Sequence, residues 1–194
     1  DSYQIVPISS FDKSIEVIDE LGIKASDLLQ ANGIIWVEGP SDRIYIKNWI
    51  EILTPNTFIE GKDYQFVYYG GRLLAHYTAC DPIDKEVEEY INVLAVNSKA
   101  FFVMDSDKNT AREHLAKRKK HITKKLKEKN IPYWITEGRE IENYLDLSKD
   151  GIKLEQFDKI EDKKITNFDK LNFAKEHYKD AAFNKLHLKK SMNS

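Results

Sequence analysis

Short apolar runs alternate with amphipathic stretches along most of the chain. Ile34–Val37 and Ala100–Met104 are continuous apolar runs, typical of strands covered on both faces. Two further strands are predicted, at 65–69 and at 131–136. Gly70 and Gly71 are expected to end the first of them. Helical spacing predicts helices at 12–21, 27–31, 84–96 and 108–130, and a helix capped by Ser41 or Asp42 whose buried stripe is Ile44, Tyr45, Trp49, Ile52 and Leu53. Regular alternation of strands and helices predicts an α/β fold, a parallel sheet flanked by helices.

The chain divides into three predicted regions. Residues 32–148 carry the strand and helix alternation and form the predicted core domain. Residues 1–31 are predicted to be lead-in helices or a linker from a preceding region. The Lys-rich residues 149–194 are predicted to form a helical C-terminal extension. No apolar run approaches the roughly 20 residues of a membrane helix, and the single Cys80 cannot form an internal disulfide. We therefore expect a cytoplasmic protein without a membrane partner.

Charge is distributed unevenly along the chain. Residues 1–107 contain 8 basic and 18 acidic side chains, whereas residues 108–194 contain 22 basic and 14 acidic ones. Two oppositely charged solvated faces would explain this, and so would a cation site beside a surface that attracts polyanions.

Acidic side chains follow three of the predicted strands. Glu38 follows the first, Asp105 and Asp107 follow the third, and Glu137, Glu140 and Glu142 follow the fourth. Because ligands of open parallel sheets bind beyond the carboxyl ends of the strands, these acids are expected to converge, joined by Asp42. Asp105 and Asp107, two residues apart at a strand end, are expected to point the same way. Crowded carboxylates repel one another unless a cation neutralises them, and an all-oxygen donor set favours Mg²⁺ or Mn²⁺, as one ion or two. A carboxylate after a strand can instead simply cap the next helix.

The predicted basic helix begins beside the Asp-x-Asp pair. Its basic residues predict a surface for phosphate backbones, with Arg112, Lys117, Arg118, Lys120 and Lys124 as candidate nucleic-acid contacts. The alternative is an ordinary solvated face. The chain contains no Gly-x-x-x-x-Gly-Lys-Ser/Thr loop for a nucleotide. An Asp-x-Asp phosphatase is disfavoured because Asn109, not Thr or Val, stands four residues after Asp105.

Four segments together resemble, in order, the motifs of the Toprim domain in its OLD-family (overcoming lysogenization defect) nuclease variant. They are Ile34-Ile35-Trp36-Val37-Glu38-Gly39-Pro40-Ser41-Asp42, Tyr69-Gly70-Gly71, Phe101-Phe102-Val103-Met104-Asp105-Ser106-Asp107 and Glu137-Gly138-Arg139-Glu140-Ile141-Glu142-Asn143-Tyr144-Leu145. The resemblance covers about residues 32–148. It implies a Rossmann-like Toprim core that acts as a metal-dependent DNA endonuclease.

The resemblance also implies roles for particular residues. Glu38, Asp42, Asp105, Asp107 and Glu142 match the metal-binding acids, with Glu38 also a candidate general base; Glu140 remains an alternative to Glu142. The segment from Asp169 to Ala174 resembles the family's functional lysine motif, which nominates Lys170 as catalytic beside Glu38 and Asp105.

The implied context is a larger protein. OLD-family nucleases ordinarily carry an N-terminal ABC-type ATPase, which implies an ATPase region in the same polypeptide, homo-oligomerisation through it, and a role in defence against phage. Toprim domains also serve primases and topoisomerases, and a non-catalytic module that binds nucleic acid or docks an ATPase is a further alternative.

Overall fold

The structure, a computed structural model, describes residues 32–69 and 99–179. The helices expected at 12–21, 27–31 and 84–96, the Gly70-Gly71 pair and the last fifteen residues lie outside these ranges. In chain order the regular elements are β1 (Ile34–Val37), α1 (Pro40–Leu53), β2 (Gln65–Tyr68), β3 (Ala100–Met104), α2 (Lys117–Glu128), β4 (Tyr133–Ile135) and α3 (Lys170–His177). Short 3₁₀ turns lie at Ile141–Tyr144, Ser148–Asp150 and Ile160–Lys163.

The four strands form one parallel sheet in the order β2-β1-β3-β4. Ile34 is in register with Gln65 on one side and with Ala100 on the other, and Phe102 is in register with Tyr133. The α/β prediction is therefore confirmed, with a Rossmann-like sheet flanked by three helices. The chain places β2 and β3 on opposite sides of β1, so the sheet reverses its winding direction between β1 and β3.

Side chains alternate between the two faces of the sheet, and each face has its own core. Trp36, Phe102 and Met104 pack with Ile122 and Leu126 of α2 on one face. Val37, Val103 and Trp134 pack on the other face with α1 and α3, through residues such as Tyr45 and Phe173. The two central strands, β1 and β3, are apolar throughout because both of their faces are covered.

Helix α1 begins immediately after β1. Gly39 is its N-cap and Pro40 is its first residue, where the missing N–H costs nothing. The N-cap is therefore not Ser41 or Asp42, as the sequence had suggested; Asp42 lies in the first turn and accepts the Gly39 N–H at 2.9 Å. Tyr45 and Trp49 are buried as predicted, but Ile52 and Leu53 are exposed, because no described element packs over the last turn.

Helix α2 is shorter than the predicted 108–130. Residues 108–116 are irregular and mostly exposed, and the helix runs only from Lys117 to Glu128. Residues 108–116 offer few apolar side chains to pack against the sheet, and helices this short depend on such packing. Beyond the last helical residue, Asn130 has a left-handed φ of 54°, and the Ile131 N–H donates to Leu126 O at 2.9 Å, which turns the chain away from the helix.

The described part of the C-terminal region packs onto the sheet. Asp169 caps α3 by accepting the Asn172 N–H at 2.8 Å. Ile160, Phe173 and Ala174 are buried in the same core cluster as Val37 and Tyr45. The packing of α3 fixes the position of Lys170, its first residue, relative to the strand ends. Within the described ranges, no helix has both the length and the apolar character needed to cross a bilayer.

Candidate functional site

The acidic residues meet at the point where the sheet reverses its winding direction. Glu38 directly follows β1 and Asp105 directly follows β3, and these strands are neighbours. The Asp105 N–H donates to Glu38 Oε1 at 3.1 Å, so the two strand ends are joined by the acidic residues themselves. This is the position at which open α/β sheets bind their ligands.

Asp105, Glu140 and Glu142 form a buried carboxylate cluster. Each offers one oxygen that lies within 4.8 Å of the other two, and all three residues are buried. Glu140 Oε1 accepts the Ile160 N–H at 2.6 Å. Both Glu142 oxygens are buried, and Oε2 lies beside the Lys170 ammonium. We call Asp105, Glu140 and Glu142 the carboxylate triad.

Hydrogen bonds lock the loop after β4 against the loop after β3. Ser106 N–H donates to Thr136 Oγ1 at 2.8 Å, and the Ser106 hydroxyl donates to Gly138 O at 2.5 Å. A Cβ on Gly138 would lie only 2.7 Å from the backbone oxygen of Gln156. The close approach that glycine allows thus holds the loop that carries Glu140 and Glu142 beside Asp105.

Lys170 reaches the carboxylate triad from α3. Its Nζ lies 3.1 Å from Glu142 Oε2, 3.5 Å from Glu140 Oε2 and 4.0 Å from Asp105 Oδ2. The Lys170 side chain is 32% exposed, so its ammonium group can also face a bound molecule. The three carboxylates therefore share the positive charge of Lys170.

A second lysine, Lys119 of α2, occupies the other side of the acidic site. Its Nζ lies 3.1 Å from Glu38 Oε1 and 2.5 Å from Asp107 Oδ2, and it donates to the Asp105 backbone oxygen. Asp105 and Asp107 therefore face different lysines, although their spacing had suggested that both carboxylates point the same way. Asp107 has a left-handed φ of 55°, which breaks the alternation that a strand would impose.

Asp42 serves the local structure of α1 as well as the site. Its Oδ2 accepts the Gly39 N–H, and its Oδ1 accepts the Ser41 hydroxyl at 3.4 Å. It is only 5% exposed and lies outside the carboxylate triad. The Asp42 side chain therefore accepts hydrogen bonds at the start of α1 and also lies near the acidic site.

Burial dominates the electrostatics of the acids. It raises the pKa of Glu142 to about 7, with Lys170 opposing the shift and Glu140 adding to it. It raises the pKa of Asp42 to about 6, again against Lys170. Burial and the neighbouring Asp42 and Glu38 carboxylates raise the pKa of Asp105 well above its ordinary value. Without a further cation, ionisation of these buried carboxylates near neutral pH is unfavourable, because they lose solvation and repel one another.

Both lysines remain charged in this environment. Burial alone would lower the pKa of Lys119, but Glu38 and Asp107 raise it above its ordinary value. Burial likewise opposes ionisation of Lys170, and the attraction of Glu142, Asp105 and Glu140 outweighs it, so the pKa of Lys170 is also raised.

The donor set fits a hard divalent cation. The triad supplies only carboxylate oxygens, which suit Mg²⁺ or Mn²⁺. Its most buried member, Glu142, contacts Lys170, but that ammonium is shared with Glu140 and Asp105, so the three buried carboxylates keep an excess of negative charge, which is costly. A bound dication would remove both this cost and the mutual repulsion of the three acids.

The basic residues proposed as nucleic-acid contacts divide between two segments. Lys117, Lys120 and Lys124 are exposed on α2, and Arg118 is half-buried there. Arg112 is exposed in the irregular stretch before α2, so it does not share the helix surface.

Sequence reasoning missed one site residue and left another undecided. Lys119 belongs to the basic run that was expected to face phosphate or solvent, yet it is buried on one face of α2 with Ile122, Thr123 and Leu126, and that spacing is the signal that places it inside. Glu140 and Glu142 both belong to the triad. Searches of family models, of curated proteins and of solved structures find no match to this chain.

Proposed function

We propose that this chain is a divalent-metal-dependent nuclease module that hydrolyses phosphodiester bonds in DNA. The observation that carries the proposal is the carboxylate triad, in which one oxygen of each of three buried acids lies within 4.8 Å of the other two and Lys170 supplies one positive charge to all three. A purely structural sheet end gains nothing from such an arrangement, because three buried carboxylates are costly when a single ammonium balances their charge. The triad also lies where α/β sheets bind ligands.

The residues divide the chemical work between them. Asp105, Glu140 and Glu142 would hold the ion, which supplies Lewis-acid polarisation of a phosphate oxygen and lowers the pKa of water. Lys170, partly exposed and 3.1 Å from Glu142, is positioned to donate to the phosphate and stabilise the charge that develops there. Glu38 and Asp42 lie close enough to Asp105 to raise its pKa, so they add to the negative potential that concentrates cations at the triad.

The exposed basic residues of α2 favour a polyanionic substrate. Lys117, Lys120 and Lys124 project from the helix whose first turn delivers Lys119 to the acidic site. A phosphate backbone that follows this surface is led toward the triad. Such contacts attract DNA without reading its sequence.

The resemblance of the motifs to OLD-family Toprim nucleases extends the proposal. It adds an ABC-type ATPase region in the same polypeptide, oligomerisation through that region, a cytoplasmic location and a role in defence against phage. These parts depend on the resemblance and stay predictions.

A plasmid assay tests the proposed reaction. Supercoiled plasmid incubated with the protein and Mg²⁺ or Mn²⁺ should yield nicked or linear DNA, and EDTA should stop the reaction. Asp105→Asn should lower the rate by about 100-fold or more, since even outer-shell changes at metal sites cost 10- to 100-fold. Glu51→Gln is the control, because Glu51 is an exposed carboxylate in the last turn of α1, at the end of that helix away from Asp42.

Other products would point to the alternatives. Religated topoisomers would indicate a topoisomerase-type reaction, and DNA binding without cleavage would indicate a docking module. Full activity of Asp105→Asn would contradict the proposal outright.

A further inference from the structure

The Lys119 ammonium occupies an oxygen-lined position at the acidic site. Three oxygens surround it: Glu38 Oε1 at 3.1 Å, Asp107 Oδ2 at 2.5 Å and the Asp105 backbone oxygen at 2.5 Å. The Lys119 side chain is only 5% exposed. Lysine is almost never buried without such partners, so this is a built contact between α2 and two strand ends.

Charge is balanced differently on the two sides of Asp105. On the Lys119 side, one ammonium directly contacts the carboxylates of both Glu38 and Asp107. On the triad side, one ammonium, that of Lys170, balances three carboxylates, at 3.1 Å from Glu142, 3.5 Å from Glu140 and 4.0 Å from Asp105. The need for an additional cation therefore falls on the triad side.

The fold also holds Lys119 in place. Lys119, Ile122, Thr123 and Leu126 are the buried residues of α2, at spacings of three and four that put them on one helix face. Ile122 and Leu126 are embedded in the core beneath the sheet. A metal ion on the Lys119 side would have to displace an ammonium anchored by this packing, or lie against it at a strongly repulsive distance.

We propose that Lys119 is a built-in cation that takes the place of a second metal ion, so that the chain binds a single divalent ion, at the carboxylate triad. The inference rests on the proposed function, because it concerns the same acidic site. It makes Lys119 a positioning residue, which holds Glu38 and Asp107 and ties α2 to the strand ends. It also resolves the choice between one ion and two in favour of one.

Metal stoichiometry tests the inference without an activity measurement. Free Mn²⁺ is followed by electron paramagnetic resonance while the full 194-residue chain is titrated. The wild-type chain should bind one Mn²⁺. Lys119→Met, which keeps the aliphatic stem and removes the charge, should bind two, because Glu38 and Asp107 then lack their cation. Lys127→Met, an equal change on the exposed face of α2, should still bind one.

Two failures of this titration have different meanings. A wild-type chain that binds no Mn²⁺ contradicts the proposed function. A wild-type chain that binds two ions, or a folded Lys119→Met protein that binds one like its control, overturns the role of Lys119 and leaves the proposed function standing.

A second measurement on the wild-type chain covers the case in which Lys119→Met does not fold. Lysine acylation by a water-soluble ester is mapped by mass spectrometry with and without saturating Mn²⁺. Lys119 should react far more slowly than the exposed Lys117, Lys120 and Lys124 in both conditions. Acylation of Lys119 that rises when Mn²⁺ is added would mean that metal displaces it, and would overturn the inference.

Discussion

Glu142 is a carboxylate whose ionisation opposes folding in the metal-free protein. It is fully buried, and burial raises its pKa from 4.5 to about 7. A group whose pKa is higher in the folded state binds its proton more tightly there, so for this acid the folded state is favoured at low pH. The resulting loss of stability starts near pH 4.5, grows as the pH rises, and is complete above about pH 7.

The size of the effect follows from the two pKa values. At about 1.4 kcal/mol for each tenfold change in the protonation equilibrium, the shift corresponds to about 3 kcal/mol. Glu142→Gln replaces the carboxylate by a neutral side chain of the same shape. In the presence of EDTA, the substitution should raise the free energy of unfolding by about 3 kcal/mol at pH 8 and change it little at pH 4.5.

Urea unfolding followed by tryptophan fluorescence at the two pH values measures this difference. Glu51→Gln, an exposed carboxylate on α1, is the control and should change stability little at either pH. The reasoning is refuted if Glu142→Gln is destabilising at pH 8, since Glu142 and Lys170 would then form a net stabilising pair. Adding Mg²⁺ should stabilise the wild-type protein at pH 8 and stabilise the substituted protein much less, because the substitution removes a proposed ligand.

Two further predictions concern the loop after β4 and the surface of α2. Gly138→Ala should lower the free energy of unfolding by about 1–3 kcal/mol, measured by urea unfolding, because the new Cβ would lie 2.7 Å from Gln156 O. Unchanged stability would mean that the loop moves to accommodate the Cβ without cost. Lys120→Ala combined with Lys124→Ala should weaken binding of a fluorescent duplex and lower the slope of log affinity against log salt by about 2; an unchanged slope would exclude these lysines from the interface.

The fold was predictable from local sequence because both faces of the sheet are covered. Strands covered on both sides must be apolar throughout, and the runs at 34–37 and 100–104 satisfy this without reference to any partner. The convergence of Glu38 with Asp105 followed from strand order alone, since residues after parallel neighbouring strands share one edge. These inferences need only topology, which the alternation of strands and helices supplies.

Helix limits were less predictable because they depend on what packs against each turn. The charge pattern over 108–130 suits one long helix, but only Lys117–Glu128 presents apolar residues to the sheet, and only that part is helical. Ile52 and Leu53 show the converse case. They continue the apolar stripe of α1 in sequence, yet no described element covers the last turn, and both remain exposed.

The division of the acidic site depends on side-chain directions that a spacing rule cannot give. The expectation that Asp105 and Asp107 act together assumes strand alternation, but β3 ends at Met104 and the left-handed backbone at Asp107 turns its carboxylate toward Lys119. Periodicity could have placed Lys119 on the buried face of α2. A lysine in a basic helix is normally expected to be exposed. Burial of the Lys119 ammonium is favourable only because Glu38 and Asp107 lie beside it in the folded chain. Acids from separate strand ends and a lysine from the crossover helix thus determine one another's positions, and this mutual dependence exists only in the folded chain.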